Sequence, residues 1–159
     1  MSTSDSFTYV TYITTTPEKL WEALTGGDFT FQYWGGRRIQ SDWKVGSSLL
    51  LVREDGVLDL KGEVLEADFP KRLSYTFDPQ RDKNKRTLDG QPIDDSGELP
   101  SRVTFVIEPF MGKVKMTLVH DQFPPNSKVL PGVSGGWPAI LSSLKSLLET
   151  GQAMFPEWR

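Results

Sequence analysis

From Phe7 to Thr15 apolar and polar residues alternate, and Tyr, Val, Ile and Thr supply them, which predicts a strand. Thr16-Pro17-Glu18 then reads as a helix start, with Thr16 as a side-chain cap and Pro17 in the first turn. Leu20, Trp21 and Leu24 follow at helical spacing, and Gly26-Gly27 ends the run. A second short helix or turn is expected over Phe29–Trp34, before Gly35-Gly36 breaks the pattern. Alternating stretches then predict strands at Ile39–Lys44, Ser47–Glu54, Val57–Glu66, Arg72–Phe77, Ser101–Glu108 and Lys113–Phe123. Asp55-Gly56 is a strong hairpin signal, and Phe110-Met111-Gly112 links the last two strands tightly. Hairpin after hairpin implies an antiparallel sheet with one packed face and one wet one.

At the C-terminus the period changes. Ile140, Leu141, Leu144, Leu147 and Leu148 form one broad apolar stripe over Ala139–Thr150, opposite Ser142, Ser143, Lys145, Ser146 and Glu149. Ser134 is the expected cap and Gly151 the left-handed stop. The stripe must be buried, and the sheet is the surface large enough to receive it. The expected fold is therefore α+β, a curved antiparallel sheet of six to seven strands around a long C-terminal helix. Parity aligns Tyr75 and Phe77 with Phe105 and Met116 on inward rows, and His120 joins them unless a bulge turns it outward.

The length of 159 residues fits one domain over 1–159, with its core at about 7–151. Eighteen Lys and Arg against 21 Asp and Glu leave a net charge of −3, which argues against a nucleic-acid partner. The absence of Cys excludes disulfides, thiolate sites and Cys nucleophiles, and one His excludes a two-imidazole metal site. No cofactor or metal motif is present. No secretory leader and no membrane-spanning run is found, so a cytoplasmic location is expected. Pro79–Pro100 is a long charged interruption of the sheet, read as an irregular loop or hairpin extension, with a lid or a partner-docking loop as alternatives.

Several stretches resemble a known family. Thr16-Pro17-Glu18-Lys19-Leu20-Trp21-Glu22-Ala23-Leu24-Thr25 is similar to the first helix of the activator of heat-shock-protein-90 ATPase homologue family. Trp34-Gly35, Asp42-Trp43-Lys44-Val45-Gly46-Ser47, Gly62-Glu63-Val64-Leu65-Glu66, Leu73-Ser74-Tyr75-Thr76-Phe77 and Gly136-Trp137 follow in the family's order. The resemblance implies a bacterial single-domain member of the START-like (SRPBCC, birch-pollen-allergen-type) superfamily. It also implies a helix-grip fold, with two short helices after the first strand and a cavity for apolar molecules between sheet and helix. Pro79–Pro100 exceeds the family's usual turn, and no counterpart of the chaperone-stimulating half of the eukaryotic co-chaperone is expected here.

The expected cavity is lined by Trp34, Trp43, Tyr75, Phe77, Phe105, Met116, His120, Trp137, Leu141 and Leu144. Trp34, Trp43 and Trp137 flank glycine-containing turns, where core packing and pocket lining are equally consistent with the pattern. Tyr75 and His120 would supply polar contacts to a ligand. His120 is the one weak catalytic candidate, and its reading as a hydrogen-bonded structural residue is preferred over that of a general base. No catalytic carboxylate pair, GxSxG elbow or P-loop is found. A small apolar ligand is therefore the first expected partner. A chaperone or stress-response adaptor role, with a homodimer allowed, comes second, and a His120-based cyclase or hydrolase third.

Overall fold

The computed structural model describes residues 5–80 and 98–155. Its elements run β1 (Phe7–Ile13), α1 (Pro17–Thr25), α2 (Gly27–Tyr33), β2 (Arg38–Ser41), β3 (Ser48–Val52), β4 (Leu58–Asp68), β5 (Arg72–Pro79), β6 (Ser101–Phe110), β7 (Lys113–Asp121) and α3 (Val129–Thr150). The strands form one antiparallel sheet ordered β1-β7-β6-β5-β4-β3-β2. Successive hairpins build β2 to β7. The helices α1 and α2 carry the chain across the sheet's end, so that β1 pairs with β7.

Period-2 alternation sends Leu73, Tyr75, Phe77, Val103, Phe105, Ile107, Val114, Met116 and Leu118 to one face. There they share a buried core with Trp137, Leu141, Leu144 and Leu147 of α3. Register shifts at Leu51/Val52 and Val64/Glu66 bend the sheet. Gly62 permits the close approach of β4 to β5, because a Cβ there would lie 2.0 Å from the Thr76 carbonyl oxygen.

Both sheet edges are capped by helix side chains. Beside β1, Glu149 accepts from the Thr14 N–H at 2.8 Å, and the Lys145 ammonium donates to the Tyr12 carbonyl. At β2 the Ile39 N–H donates to Thr30 Oγ1 at 3.0 Å. Occupied edge groups cannot template pairing with another chain.

Several boundaries depart from the sequence reading; β2, for one, ends at Ser41 rather than Lys44. The first strand ends at Ile13, α2 starts at Gly27, and α3 begins at Val129 rather than near Gly135. Ser134 is not the cap of α3. Ser127 Oγ accepts from the Val129 and Leu130 N–H groups at 3.1 and 3.2 Å, and the Glu98 carboxylate accepts from the Ser127 hydroxyl and the Lys128 N–H. A carboxylate is favourable at this helix end, where unpaired N–H groups converge. Ser134 instead donates back to the Leu130 carbonyl inside the helix. Ser143, expected on the wet side, is fully buried and accepts from the Met154 N–H, tying down the chain beyond Gly151. Of the charged interruption at 79–100, residues 81–97 lie outside the described residues. No helix among the described residues is long and apolar enough to cross a membrane.

Candidate functional site

The β6–β7 ladder runs without a register shift through Val103↔His120, so His120 stays on the inner face and is fully buried. A buried imidazole needs partners, and it has them on both nitrogens. Trp137 Nε1–H donates to His120 Nδ1 at 3.0 Å, and His120 Nε2 lies 2.7 Å from Ser101 Oγ. Because Nδ1 accepts, Nε2 carries the proton and donates to Ser101, whose hydroxyl points on to the Phe77 carbonyl at 3.4 Å. Burial pulls the His120 pKa from 6.5 to about 4, against a smaller opposing pull from the Asp121 carboxylate. That carboxylate is itself held by Arg102 at 2.8 and 3.0 Å. His120 is thus a neutral relay with no free lone pair, and in this arrangement it is not poised as a general base.

Around this relay stands an aromatic cluster. The Trp137 ring centroid lies 5.3 Å from Trp34, 5.9 Å from Phe105 and 6.1 Å from Phe77, and Phe77 and Phe123 flank His120 at 4.7 and 4.6 Å. Offset and edge-on pairs of this kind add about 0.5–1.5 kcal/mol each to area burial. Burying the Trp137 indole contributes on the order of 4–6 kcal/mol gross, before ordering costs. Tyr75 stacks at an angle on Phe105, 6.3 Å away. Burial holds both Tyr75 and Tyr33 phenols above their usual range, so both keep their protons; Tyr33 donates its own to the Ala23 carbonyl at 2.9 Å.

Trp137 is carried by the weakest part of α3. Gly132, Gly135 and Gly136 lie in its first half, and each costs about 0.8–1.0 kcal/mol relative to Ala in a helix interior. Pro138 lacks the N–H that would bond the Ser134 carbonyl, a further cost of about 3 kcal/mol in a regular helix. Sterics do not require these glycines. A Cβ on Gly132 or Gly135 would meet nothing within 4 Å among the described residues, and one on Gly136 only Ile140 Cδ1 at 4.0 Å. Over them opens a hollow of about 400 Å³ lined by Trp34, Gly35, Arg37, Asp59, Gly135, Gly136, Ala139 and Ile140. At its rim Arg37 Nε donates to Asp59 at 2.7 Å and its Nη1 to the Gly35 carbonyl at 3.2 Å.

The structure brings Trp34, Tyr75, Phe77, Phe105, His120 and Trp137 into this cluster. Leu141, Leu144 and Met116 lie in the same core without ring contacts to it. Trp43 packs against the core from the turn between β2 and β3, half-buried with φ +58° and its backbone N–H bonded to Ser41 Oγ. Sequence reasoning missed Ser101, Arg37 and Asp59. Ser101 reads only as the first residue of its strand, with nothing local to pair it with His120, and the Arg37–Asp59 pair is joined only by the fold.

The chain matches the family model described as activator of Hsp90 ATPase homolog 1-like protein over residues 14–149. No curated protein is significantly similar in sequence. Among solved structures, a protein from Mesorhizobium loti is 25% identical with a TM-score of 0.70, the match covering 91% of this chain and 96% of that one. The Aha1 dimer from Colwellia psychrerythraea is 19% identical with a TM-score of 0.71, covering 94% and 99%. An HSP90 activator from Plasmodium falciparum is 22% identical with a TM-score of 0.69, covering 90% and 95%. These likenesses carry the helix-grip fold, and with the match over residues 14–149 the chain belongs to the activator of Hsp90 ATPase homolog 1-like family.

Proposed function

We propose that the protein binds a small apolar molecule with one polar end in the hollow between Trp34 and the first half of α3. The observation that carries this reading is the hollow itself: about 400 Å³, floored by glycine backbone and backed by the Trp34–Trp137 ring pair. That size lies within the range of small-molecule sites, roughly 300–1,000 Å³. Apolar contact with Trp34, Ala139 and Ile140 would supply affinity, and the Arg37–Asp59 pair at the rim offers both a donor and an acceptor to the polar end. The test is titration with decanoate, indole and 2-naphthol, followed through backbone amide resonances. Saturable shifts at Gly135, Gly136, Ala139 and Ile140 support the reading; no shift there up to millimolar probe overturns it.

A second reading, docking on a chaperone-type partner, is favoured by a separate observation. Val10, Tyr12, Phe110 and Met111 are exposed beside the β6–β7 hairpin, with Tyr12 and Phe110 rings 5.2 Å apart. The Plasmodium falciparum neighbour is an HSP90 activator, which makes HSP90 the partner to try first. A Phe110→Glu, Met111→Glu variant abolishes capture of that chaperone if this reading holds. Equal capture by variant and wild type removes it.

A further inference from the structure

The turn Asp42-Trp43-Lys44-Val45-Gly46-Ser47 plays no part in either reading above, yet its backbone is held in a costly shape. Trp43 sits at φ +58°, in the left-handed region that a bulky residue seldom adopts. Its indole packs against the core and its backbone N–H donates to Ser41 Oγ at 3.0 Å, so the turn is pinned at two points. Beside the turn lies a second hollow, of about 570 Å³, where the end of α1 meets the β2–β3 hairpin. It shares no residue with the hollow at Trp34.

Register explains its character. Gln40 pairs with Leu50 across the β2–β3 ladder, and alternation puts both, with Ser48, on the face opposite buried Ile39, Leu49 and Leu51. The polar lining is Thr25, Gln40, Ser41, Asp42, Ser47 and Ser48. The hollow wraps round the edge strand β2, so Ile39 joins Leu50 as its apolar lining. Thr25 and Ser41 already use their hydroxyls, on the Trp21 carbonyl and the Trp43 N–H. Among the described residues, nothing bonds the side chains of Gln40, Asp42, Ser47 or Ser48.

This set selects by chemistry. An amide, hydroxyls and a carboxylate can exchange hydrogen bonds with a polyol in both directions. Asp42 is the one charge in the lining, so an anion is repelled and an ammonium attracted. The flanking charges are mixed: Glu63 faces Ser48 and Lys61 faces Leu50 across the β3–β4 ladder, and Lys44 follows in the turn. A wholly apolar ligand would meet only Leu50 and Ile39 and would strip water from six polar side chains. Because the turn is pinned, these groups are positioned before any ligand arrives, which lowers the ordering cost of binding.

The geometry points to an amino-sugar site in this hollow: the ammonium pairs with Asp42, the ring hydroxyls bond Gln40, Ser47 and Ser48, and a carbon-rich ring face rests on Leu50. The site is independent of the reading at Trp34, since it lies at the β2 edge rather than over α3.

Amide resonances of the wild-type chain are followed against glucosamine, glucose, glucuronate and cyclohexylamine at about pH 6, where both amines are charged. Glucosamine should shift Gln40, Ser47 and Ser48 saturably and bind about two- to fivefold more tightly than glucose, the margin of a solvent-exposed ion pair. Glucuronate should leave them in place. Asp42→Asn, at an exposed position, should bring glucosamine down to the affinity of glucose without lowering Tm, and Ser48→Ala should weaken both sugars alike. No saturable shift at these residues from either sugar overturns the site. Cyclohexylamine binding as tightly as glucosamine overturns the sugar and leaves a bare cation contact. Glucosamine affinity unchanged in Asp42→Asn, or glucuronate binding equally well, overturns the role of the carboxylate. Should a variant fail to fold, the wild-type comparisons decide alone. Failure at this hollow leaves the reading at Trp34 to its own resonances, Gly135 and Gly136.

Discussion

Replacing Gly132, Gly135 and Gly136 by alanine separates helix propensity from packing in α3. A methyl at Gly132 or Gly135 meets no described atom within 4 Å, and at Gly136 it would touch Ile140 Cδ1 at 4.0 Å, an ordinary van der Waals contact. Native packing therefore sets no penalty against the gain in propensity, about 0.8–1.0 kcal/mol per site. If the sites act independently, the triple variant is stabilised by about 2–3 kcal/mol. For a chain of this size that raises Tm by about 5–10 °C. Thermal melts followed by circular dichroism read the total, and amide hydrogen exchange reads where it falls. Protection should rise more over residues 129–138 than over 139–150. The alanine methyls also narrow the hollow at Gly135 and Gly136, so affinity for indole and 2-naphthol should fall as stability rises. An unchanged or lowered Tm for Gly135→Ala would refute the reasoning, because it would mean that this segment is not a helix facing open space.

Three further outcomes are expected. Burial lowers the His120 pKa from 6.5 to about 4, so the unfolded chain takes up a proton that the folded one refuses. Stability is then complete above about pH 6.5, declines by up to about 3 kcal/mol as pH falls to about 4, and levels off below that. Urea midpoints of wild type and His120→Phe over this range should diverge in slope, and parallel profiles would assign the acid sensitivity elsewhere. Gly62→Ala drives a Cβ to 2.0 Å from the Thr76 carbonyl oxygen and should destabilise by about 2–4 kcal/mol, read as a lowered urea midpoint; near-neutrality would exclude the close β4–β5 approach. Lys145→Ala with Glu149→Ala uncaps the outer edge of β1. Self-association at high concentration should increase on light scattering, while a strictly monomeric variant would show that these two side chains do not guard the edge.

Much of the architecture was legible along the chain because each element signals itself locally. The 3.6-residue stripe from Ile140 to Leu148, the Asp55-Gly56 turn and the alternation in β5, β6 and β7 each needed only near neighbours. The start of α3 was illegible for the opposite reason. Gly132, Gly135, Gly136 and Pro138 all oppose helix by propensity. The segment is helical because Glu98 and Ser127 cap it and Trp137 anchors it in the core. Tertiary contact overrode local preference.

The same division holds at the candidate site. Parity alone placed His120 on the inner row, and residue type alone marked Trp34 and Trp137 as aromatic surface near glycine turns. Neither could reveal that Trp137 donates to His120, or that Ser101, 19 residues away along the chain, completes the relay. Nor could the sequence tell Trp43, packed against the core from its turn, from Trp34, which lines the hollow. Periodicity reports which way a side chain faces. Which groups then meet is decided by strand order and register, and these emerge only when the whole sheet closes around its helix.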